Sequence, residues 1–329
     1  MLRIGILGAA TIAPQAIVDP AFRTEGVEVV AIGAARPGAA TTFAEHYGIP
    51  RAYASYEALV GDPSVDLVYV ALAVREHAAL SIAALEAGKH VLCEKPIAMN
   101  ATEAREVVAA SRRTGMRVIE AFHYRYHPLF VALLRMRDEG AFGTVRALTS
   151  EISDVREFDP RSIIHDPAVG GGTLLHAGCY AINWMRALTG EEPSVESAGI
   201  ERNPLGADAA IDTVLTFAGG IRGTLEATMA PGRSIKPGNR LTIHGDRATA
   251  TIENVIVPQY GHSVRMQSLG EPERAFTVAG NSSYDYQLSS VVSAIESGES
   301  LPTEGDELIF GMAAIDAVYR AGGLAAHQA

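Results

Sequence analysis

Strand and helix alternate repeatedly through the first third of the chain, and no other feature restricts its fold so narrowly. The apolar segments Leu2–Leu7, Val27–Gly33, Asp66–Leu72, His90–Glu94 and Arg117–Ala121, with a weaker one at Ala52–Ala54, are rich in Val, Ile and Leu. Strands with almost continuous apolar runs are covered on both faces. Helical patterns fill the gaps at Ile12–Phe22, Ala39–Tyr47, Tyr56–Val60, Glu76–Ala87 and Ala101–Thr114. Asn100 can cap the last of these, with Glu103 placed as in a capping box, and Gly88 and Gly115 stand where glycines close helices. Repeated strand–helix units join through right-handed crossovers, so the spacing predicts a parallel, doubly wound sheet.

After about Phe122 the pattern changes. Helices are expected only at Pro128–Glu139, Thr173–Leu188, Tyr284–Ser297 and Glu307–Ala321. Alternating strands fall at Val145–Ser153, Val195–Glu201, Thr213–Phe217, Gly223–Thr228, Leu241–His244, Ala248–Glu253 and Val264–Ser268, with FAGGIRG as a hairpin turn. Consecutive strands without intervening helices predict a mostly antiparallel open sheet. The fold expected is therefore α/β, a Rossmann sheet over residues 1–122 followed by an α+β domain over residues 123–329.

The 329 residues carry 27 basic and 38 acidic side chains, a net charge of −11, with no basic run. Nucleic acid and anionic membrane are therefore unfavoured partners. No apolar stretch approaches the ~20 residues of a membrane helix, and the N-terminal MLRIGILGAA reads as a strand entering a glycine turn rather than a signal peptide. The two cysteines, Cys93 and Cys179, form neither a disulfide framework nor a metal cluster. HExxH, GxxxxGK and GxSxG patterns are absent. The expectation is a cytoplasmic protein that binds no metal.

The first strand runs into ILGAATIA. Gly8, Ala10 and Ala13 occupy the three glycine positions of the dinucleotide fingerprint. Gly8 allows the tight turn, Ala10 is small enough for a pyrophosphate to approach, and Ala13 suits helix–strand packing. Thr11 and Ile12 complete the turn, and the following helix offers unpaired amides to phosphate. Strand two ends in AIGAARPG. Ala34 and Ala35 stand where an NAD site would place an acid, and Arg36 follows, a guanidinium suited to a 2′-phosphate. NADP is thus expected as cofactor, with NAD as the alternative. Ligands in such a sheet lie beyond the strands' carboxyl ends, where Leu72 ends strand four and Glu94 and Lys95 end strand five. Pro96 stops that strand and permits a cis bond.

The stretch GKHVLCEKP resembles the hallmark of the Gfo/Idh/MocA oxidoreductases. So does the order in which it appears with GILGAATIA, AFHYRYHP at Ala121–Pro128 and GGGTLLHAGCY at Gly170–Tyr180. The resemblance spans essentially the whole chain. It implies that Lys95 is catalytic and that His77 contributes to the cofactor site, although the family's usual turn before that histidine is replaced by Ala73-Val74-Arg75-Glu76. Many members carry Asp and, four residues later, His in the helix after the glycines. Members similar to dimeric dihydrodiol dehydrogenase, NADP-dependent xylose dehydrogenases and sugar ketoreductases carry Tyr at the later position. Here the pair is His176 and Tyr180, which share a helix face. An ammonium beside a phenol favours the phenolate, so Lys95 and Tyr180 make chemical sense as a catalytic pair. His176 stands where the family's acid would be and is a further catalytic candidate. Arg125 and His127 brace the junction, and Asp159, Arg161, His165 and Asp166 lie in a loop expected to border substrate.

Hydride transfer between nicotinamide and a carbinol of a sugar, polyol or cyclic diol is the activity this implies. Two alternatives stay open: an NADP-binding regulator without turnover, favoured by the missing acid at position 176, and a redox-neutral hydrolase or dehydratase using bound NAD(P). The open sheet is expected to pair with a copy of itself, giving a homodimer or homotetramer.

Overall fold

The computed structural model describes residues 1–324. Its elements follow in chain order: β1 Leu2–Leu7, α1 Asp19–Arg23 (preceded by a π-helical turn, Pro14–Val18), β2 Val27–Gly33, α2 Ala39–Tyr47, β3 Arg51–Tyr53, α3 Tyr56–Val60, β4 Leu67–Val70, α4 Val74–Glu86, β5 His90–Cys93, α5 Ala101–Thr114 and β6 Val118–Glu120. Next come α6 Pro128–Asp138, β7 Val145–Ser153, a π-helical turn Leu174–Gly178 running into α7 Cys179–Thr189, β8 Ser194–Arg202, β9 Asp208–Thr216, β10 Arg222–Thr228, β11 Gly238–Gly245, β12 Ala248–Glu253, β13 Ser263–Ser268, β14 Arg274–Phe276, α8 Ser283–Ser297 and α9 Asp306–Ala321.

These elements form two compact units. Among the described residues, one holds Met1–Phe122 and Tyr284–Ile309; the other holds His123–Ser283 and residues 310–324. In the first unit all six strands are parallel, in the order β3-β2-β1-β4-β5-β6, which is the dinucleotide-binding Rossmann order with its switch point between β1 and β4. Ile4, Ile6, Ile32, Leu67, Tyr69, Leu92 and Ile119 form one buried layer with Ala16 and Ile17, Ala40 and Ala44, and Leu288 and Val291 of α8. Each fully buried branched side chain stabilises by about 1.5–3 kcal/mol. The returning α8 therefore completes the cover of a sheet whose last strand, β6, ends at Glu120, far earlier in the chain. The expected Asn100 cap on α5 is present: Thr102 N and Glu103 N donate to Asn100 Oδ1 at 2.9 Å, while Glu103 Oε2 accepts from Met99 N, one residue before the cap, at 2.9 Å.

The second unit is built on an eight-stranded sheet, β14-β13-β12-β11-β7-β10-β9-β8, antiparallel except where β7 meets β10. Leu148, Ser150 and Ile152 of β7 are buried beneath α7, whose Trp184 Nε1 donates to Ser150 Oγ at 2.7 Å. The alternate residues carry a polar face, where Arg240 on β11 bridges Glu151 at 2.6 Å and Glu253 at 2.8 Å. This is the one-side-wet alternation of an antiparallel sheet. Three differences from expectation stand out. β9 begins at Asp208, five residues before the expected Thr213, and β14 was not anticipated: its three residues are all exposed and leave no alternation to read. Both glycine-turn helices also begin as π turns rather than α.

Candidate active site

At the end of β1 the backbone turns at Gly8 with φ +100°, and Gly8 N donates to Gly33 O at 2.9 Å. A Cβ built there would lie 2.3 Å from Ala71 O and 2.7 Å from Leu72 Cδ2, so only glycine lets the turn settle against the end of β4. Ala10 and Ile12 are half-buried and Thr11 is exposed, while Ala13 is fully buried in the helix packing. Ala13 makes no side-chain capping bond, and Pro14 occupies the first helical position. A tight glycine turn leading into an uncapped helix start at the switch point fits a dinucleotide pyrophosphate. Arg36 is exposed in the loop after β2.

Lys95 is half-buried immediately beyond β5, and its peptide bond to Pro96 is cis. Its neighbours are fixed from several directions. Tyr69 Oη donates to Glu94 Oε1 at 2.6 Å, and Ile97 N donates to Glu120 Oε1 at 2.9 Å. Burial raises the Glu94 carboxyl above its ordinary value, against the lowering effects of Tyr69 and Lys95. His77 is almost fully buried, with Nδ1 2.8 Å from Pro96 O and Nε2 3.1 Å from Leu72 O. Both ring nitrogens therefore face backbone carbonyls, and the residue ties the ends of β4 and β5 together. Burial, the largest influence on it, lowers its pKa. No motif in the sequence singles out Tyr69 or Glu120. The signal they leave is a single polar side chain inside each of two otherwise apolar strands.

In the second unit, Gly172 adopts φ +136°, and a Cβ on it would lie 2.1 Å from Asp208 Oδ1. Asp208 Oδ2 accepts from Leu174 N at 2.6 Å and Oδ1 accepts from Tyr319 Oη at 3.0 Å. A buried carboxylate thus anchors the start of the helix that carries His176 and Tyr180, and burial pushes its pKa up to about 7. The π turn lies between the glycines and Tyr180, a distortion frequent at functional sites. His176 and Tyr180 engage different residues. His176 Nε2 is 3.1 Å from Asp154 Oδ2, just past β7, and the Tyr180 hydroxyl is 3.4 Å from His123 Nε2. Asp154 is drawn down to about 2, chiefly by the bond to His176 and then by Arg156. An acid does accompany His176, supplied from a strand end 22 residues upstream rather than from the helix itself.

The remaining candidates have structural partners. Tyr124 Oη donates to Asn183 Oδ1 at 2.5 Å and Arg125 Nη1 donates to the same oxygen at 3.3 Å. His127 Nδ1 accepts from Leu129 N at 3.0 Å at the start of α6, and burial lowers its pKa to about 4. In the loop before the glycines, Asp159 pairs with Arg161, His165 Nε2 lies 3.1 Å from Glu157 O, and Asp166 accepts from Ala168 N.

The fold and the residues of each unit define a protein with a dinucleotide-binding Rossmann unit and a second α+β unit. Residues 2–122 match the family model described as an oxidoreductase family with an NAD-binding Rossmann fold, and residues 130–251 match the GFO/IDH/MocA C-terminal domain. The chain belongs to the Gfo/Idh/MocA oxidoreductase family. It is 30% identical to D-xylose 1-dehydrogenase (NADP(+)) 2 of Haloferax volcanii, over 97% of this chain and 96% of that one. It is 32% identical to the trans-1,2-dihydrobenzene-1,2-diol dehydrogenase of Mus musculus, over 78% of this chain and 76% of the enzyme. Among solved structures it resembles the aldose-aldose oxidoreductase of Caulobacter crescentus complexed with glycerol, with a TM-score of 0.89, 26% identity, and 98% and 97% of the two chains covered. No helix among the described residues is long and apolar enough to cross a membrane.

Proposed function

We propose that the protein is an NADP-dependent dehydrogenase or reductase acting on a carbinol or carbonyl of a sugar, polyol or cyclic diol. The observation that carries this is the placement of Lys95. It stands at the carboxyl end of β5, in the same parallel sheet as the Gly8 turn, between neighbours fixed by Tyr69, His77 and Glu120. NADP, when bound, supplies the nicotinamide carbon that gives or takes a hydride. Gly8, Ala10, Thr11 and Ile12 hold its pyrophosphate in this reading, and Arg36 its 2′-phosphate. Leu72 and Glu94 line the way to the ring, with Glu94 orienting Lys95 rather than moving protons. The Lys95 ammonium stabilises negative charge on the reacting oxygen, and Tyr180 exchanges the proton of the substrate hydroxyl. His176, oriented by Asp154, hydrogen-bonds a neighbouring hydroxyl. The named activities of the relatives support the substrate class.

The test is an assay of NADP and NAD reduction across a panel of aldoses, polyols and vicinal diols. Lys95→Met should lower kcat by about 10²–10³-fold, the loss typical of one oxyanion-stabilising group, while dinucleotide binding measured by fluorescence stays within a few-fold. Turnover by Lys95→Met at the unaltered rate would refute the role. We further propose that the polar face of the second sheet pairs with a second copy, checked by light scattering on the purified protein. Two buried thiols not joined in a disulfide support a reducing, cytoplasmic setting.

A further inference from the structure

We propose that His123, oriented by the hydrogen-bonded chain Ser283–Gln259, is the proton partner of Tyr180 in a buried relay that takes up the phenol's proton in one direction and returns it in the other. The proposal rests on the reading of Tyr180 as the residue that exchanges that proton.

The hydrogens of this chain can be assigned from geometry. His123 is 1% exposed. Its Nδ1 lies 2.8 Å from Ser283 Oγ and its Nε2 lies 3.4 Å from Tyr180 Oη. Ser283 Oγ is 3.0 Å from Gln259 Oε1, and Ser283 N points to the same atom at 3.5 Å. A backbone N–H can only donate, so the atom it faces is the amide oxygen and the orientation of Gln259 is fixed. The serine hydroxyl has a single hydrogen, and Gln259 receives it. Toward His123, Ser283 can therefore only accept, and Nδ1 must carry a hydrogen. A neutral imidazole with its hydrogen on Nδ1 presents a lone pair at Nε2, which faces Tyr180. The Tyr180 hydroxyl is thus the donor in that contact.

This arrangement resolves a chemical difficulty. A phenol has an unperturbed pKa near ~10 and an imidazole near ~6.5; a buried phenol alone is a poor base. With an acceptor on its far side, Tyr180 need not become a free phenolate before it acts. During oxidation the substrate O–H bond breaks and a Tyr180 O–H bond forms, while the original Tyr180 hydrogen passes to His123 Nε2. The imidazolium that results keeps its Nδ1 hydrogen on Ser283. During reduction both transfers reverse. Only protons move in the relay; the electron pair of the carbinol C–H bond leaves in the hydride transfer described above. The 3.4 Å separation is long for a resting hydrogen bond, as catalytic contacts commonly are before substrate tightens them. His123 touches neither substrate nor cofactor in this scheme and acts through Tyr180.

His123→Asn keeps a donor toward Ser283 but removes the basic nitrogen. It is expected to lower kcat about 10²-fold, leave substrate KM and dinucleotide binding within threefold, and move the ascending limb of the pH–kcat profile to higher pH. Ser283→Ala, a milder change, should shift that limb in the same direction with a smaller loss. Imidazole ¹⁵N shifts in the ligand-free protein should show the hydrogen of neutral His123 on Nδ1. The relay is refuted if that hydrogen is on Nε2, or if folded His123→Asn retains kcat and an unaltered profile while Tyr180→Phe is inactive. If Tyr180→Phe itself turns over at the unaltered rate, the assignment of Tyr180 fails, which is a separate result.

Discussion

Tyr69 and Glu94 meet at the carboxyl ends of adjacent strands, the phenol hydroxyl 2.6 Å from Glu94 Oε1. Tyr69 is fully buried, and its pKa is raised well above the ordinary value by burial and then by the neighbouring carboxylate, so it remains a donor. Glu94 is the residue before Lys95. A tyrosine inside the apolar β4 therefore determines where the backbone of the Glu-Lys-Pro segment lies.

Tyr69→Phe would remove the donor and leave the glutamate in the same surroundings. A hydrogen bond to a charged group contributes about 1.5–3 kcal/mol, and a loss of that size is expected. Its pH dependence follows from the direction of the shift. Burial raises Glu94 above its ordinary 4.5, so its contribution to stability is fully present below that value and declines as pH rises through the folded value. Without Tyr69, which lowers that value, the decline extends further. Denaturant unfolding should show Tyr69→Phe more destabilised at neutral pH than below 4.5, and equal losses at both would contradict the account.

Gly8→Ala tests the cradle. An L-residue held in the left-handed region costs about 1–2 kcal/mol, and the added Cβ must also clear Ala71 O, 2.3 Å from its ideal position. The backbone has to move, and with it the amides that would face a pyrophosphate. Calorimetric titration should show NADP affinity falling at least tenfold, whereas Gly26→Ala, at a positive-φ glycine with nothing within 4 Å of the added atom, should leave it unaltered.

The parallel sheet, its helices and the position of the glycine turn could be read from the chain because each depends on local periodicity. Apolar runs, Asn100 with Glu103, and Gly115 all act within a few residues of themselves. What escaped depends on partners distant in sequence. Nothing near Leu288 or Val291 says that α8 packs with β1 and β4, and nothing near His176 says that Asp154 comes to meet it. The same holds at the sites. Lys95 is recognisable from its motif, but the residues that hold its neighbours, Tyr69, His77 and Glu120, are separate polar side chains whose meaning appears only when three strand ends come together. His77 was readable as a position in a pattern, and its two carbonyl partners were not.

Asp208 makes the stability of the second unit depend on pH near neutrality. Its carboxyl is raised from 3.8 to about 7, with burial the largest cause. A raised group contributes stability fully below its unfolded value and loses it as pH climbs to the folded value, so unfolding free energy should fall between pH 3.8 and about 7 by an amount on the order of a few kcal/mol. Asp208→Asn removes the ionisation and should flatten that slope. Unfolding curves across this range for the two proteins check the sign, and a steeper slope in the variant would exclude Asp208 as its source.

The His176–Asp154 pair should be felt in substrate affinity rather than in folding. Asp154 is lowered to about 2 by its bond to His176 and then by Arg156, so its stabilising effect is present above 3.8 and lost only as pH falls through about 2. More than a third of its side chain is exposed, and an ion pair so accessible contributes little to the fold. Its chemical effect is orientation: the carboxylate accepts from Nε2 and thereby fixes which edge of the imidazole turns away from it. Asp154→Asn weakens that preference without removing the ring. Loss of one well-oriented hydrogen bond to substrate corresponds to about tenfold in affinity, so KM for the preferred substrate should rise by that factor, with dinucleotide affinity and unfolding midpoint unaltered. His176→Phe should produce at least the same rise, and combining the two substitutions should add little, because both act on one contact. Additive effects in steady-state kinetics on the four proteins would show that Asp154 acts on substrate by another route.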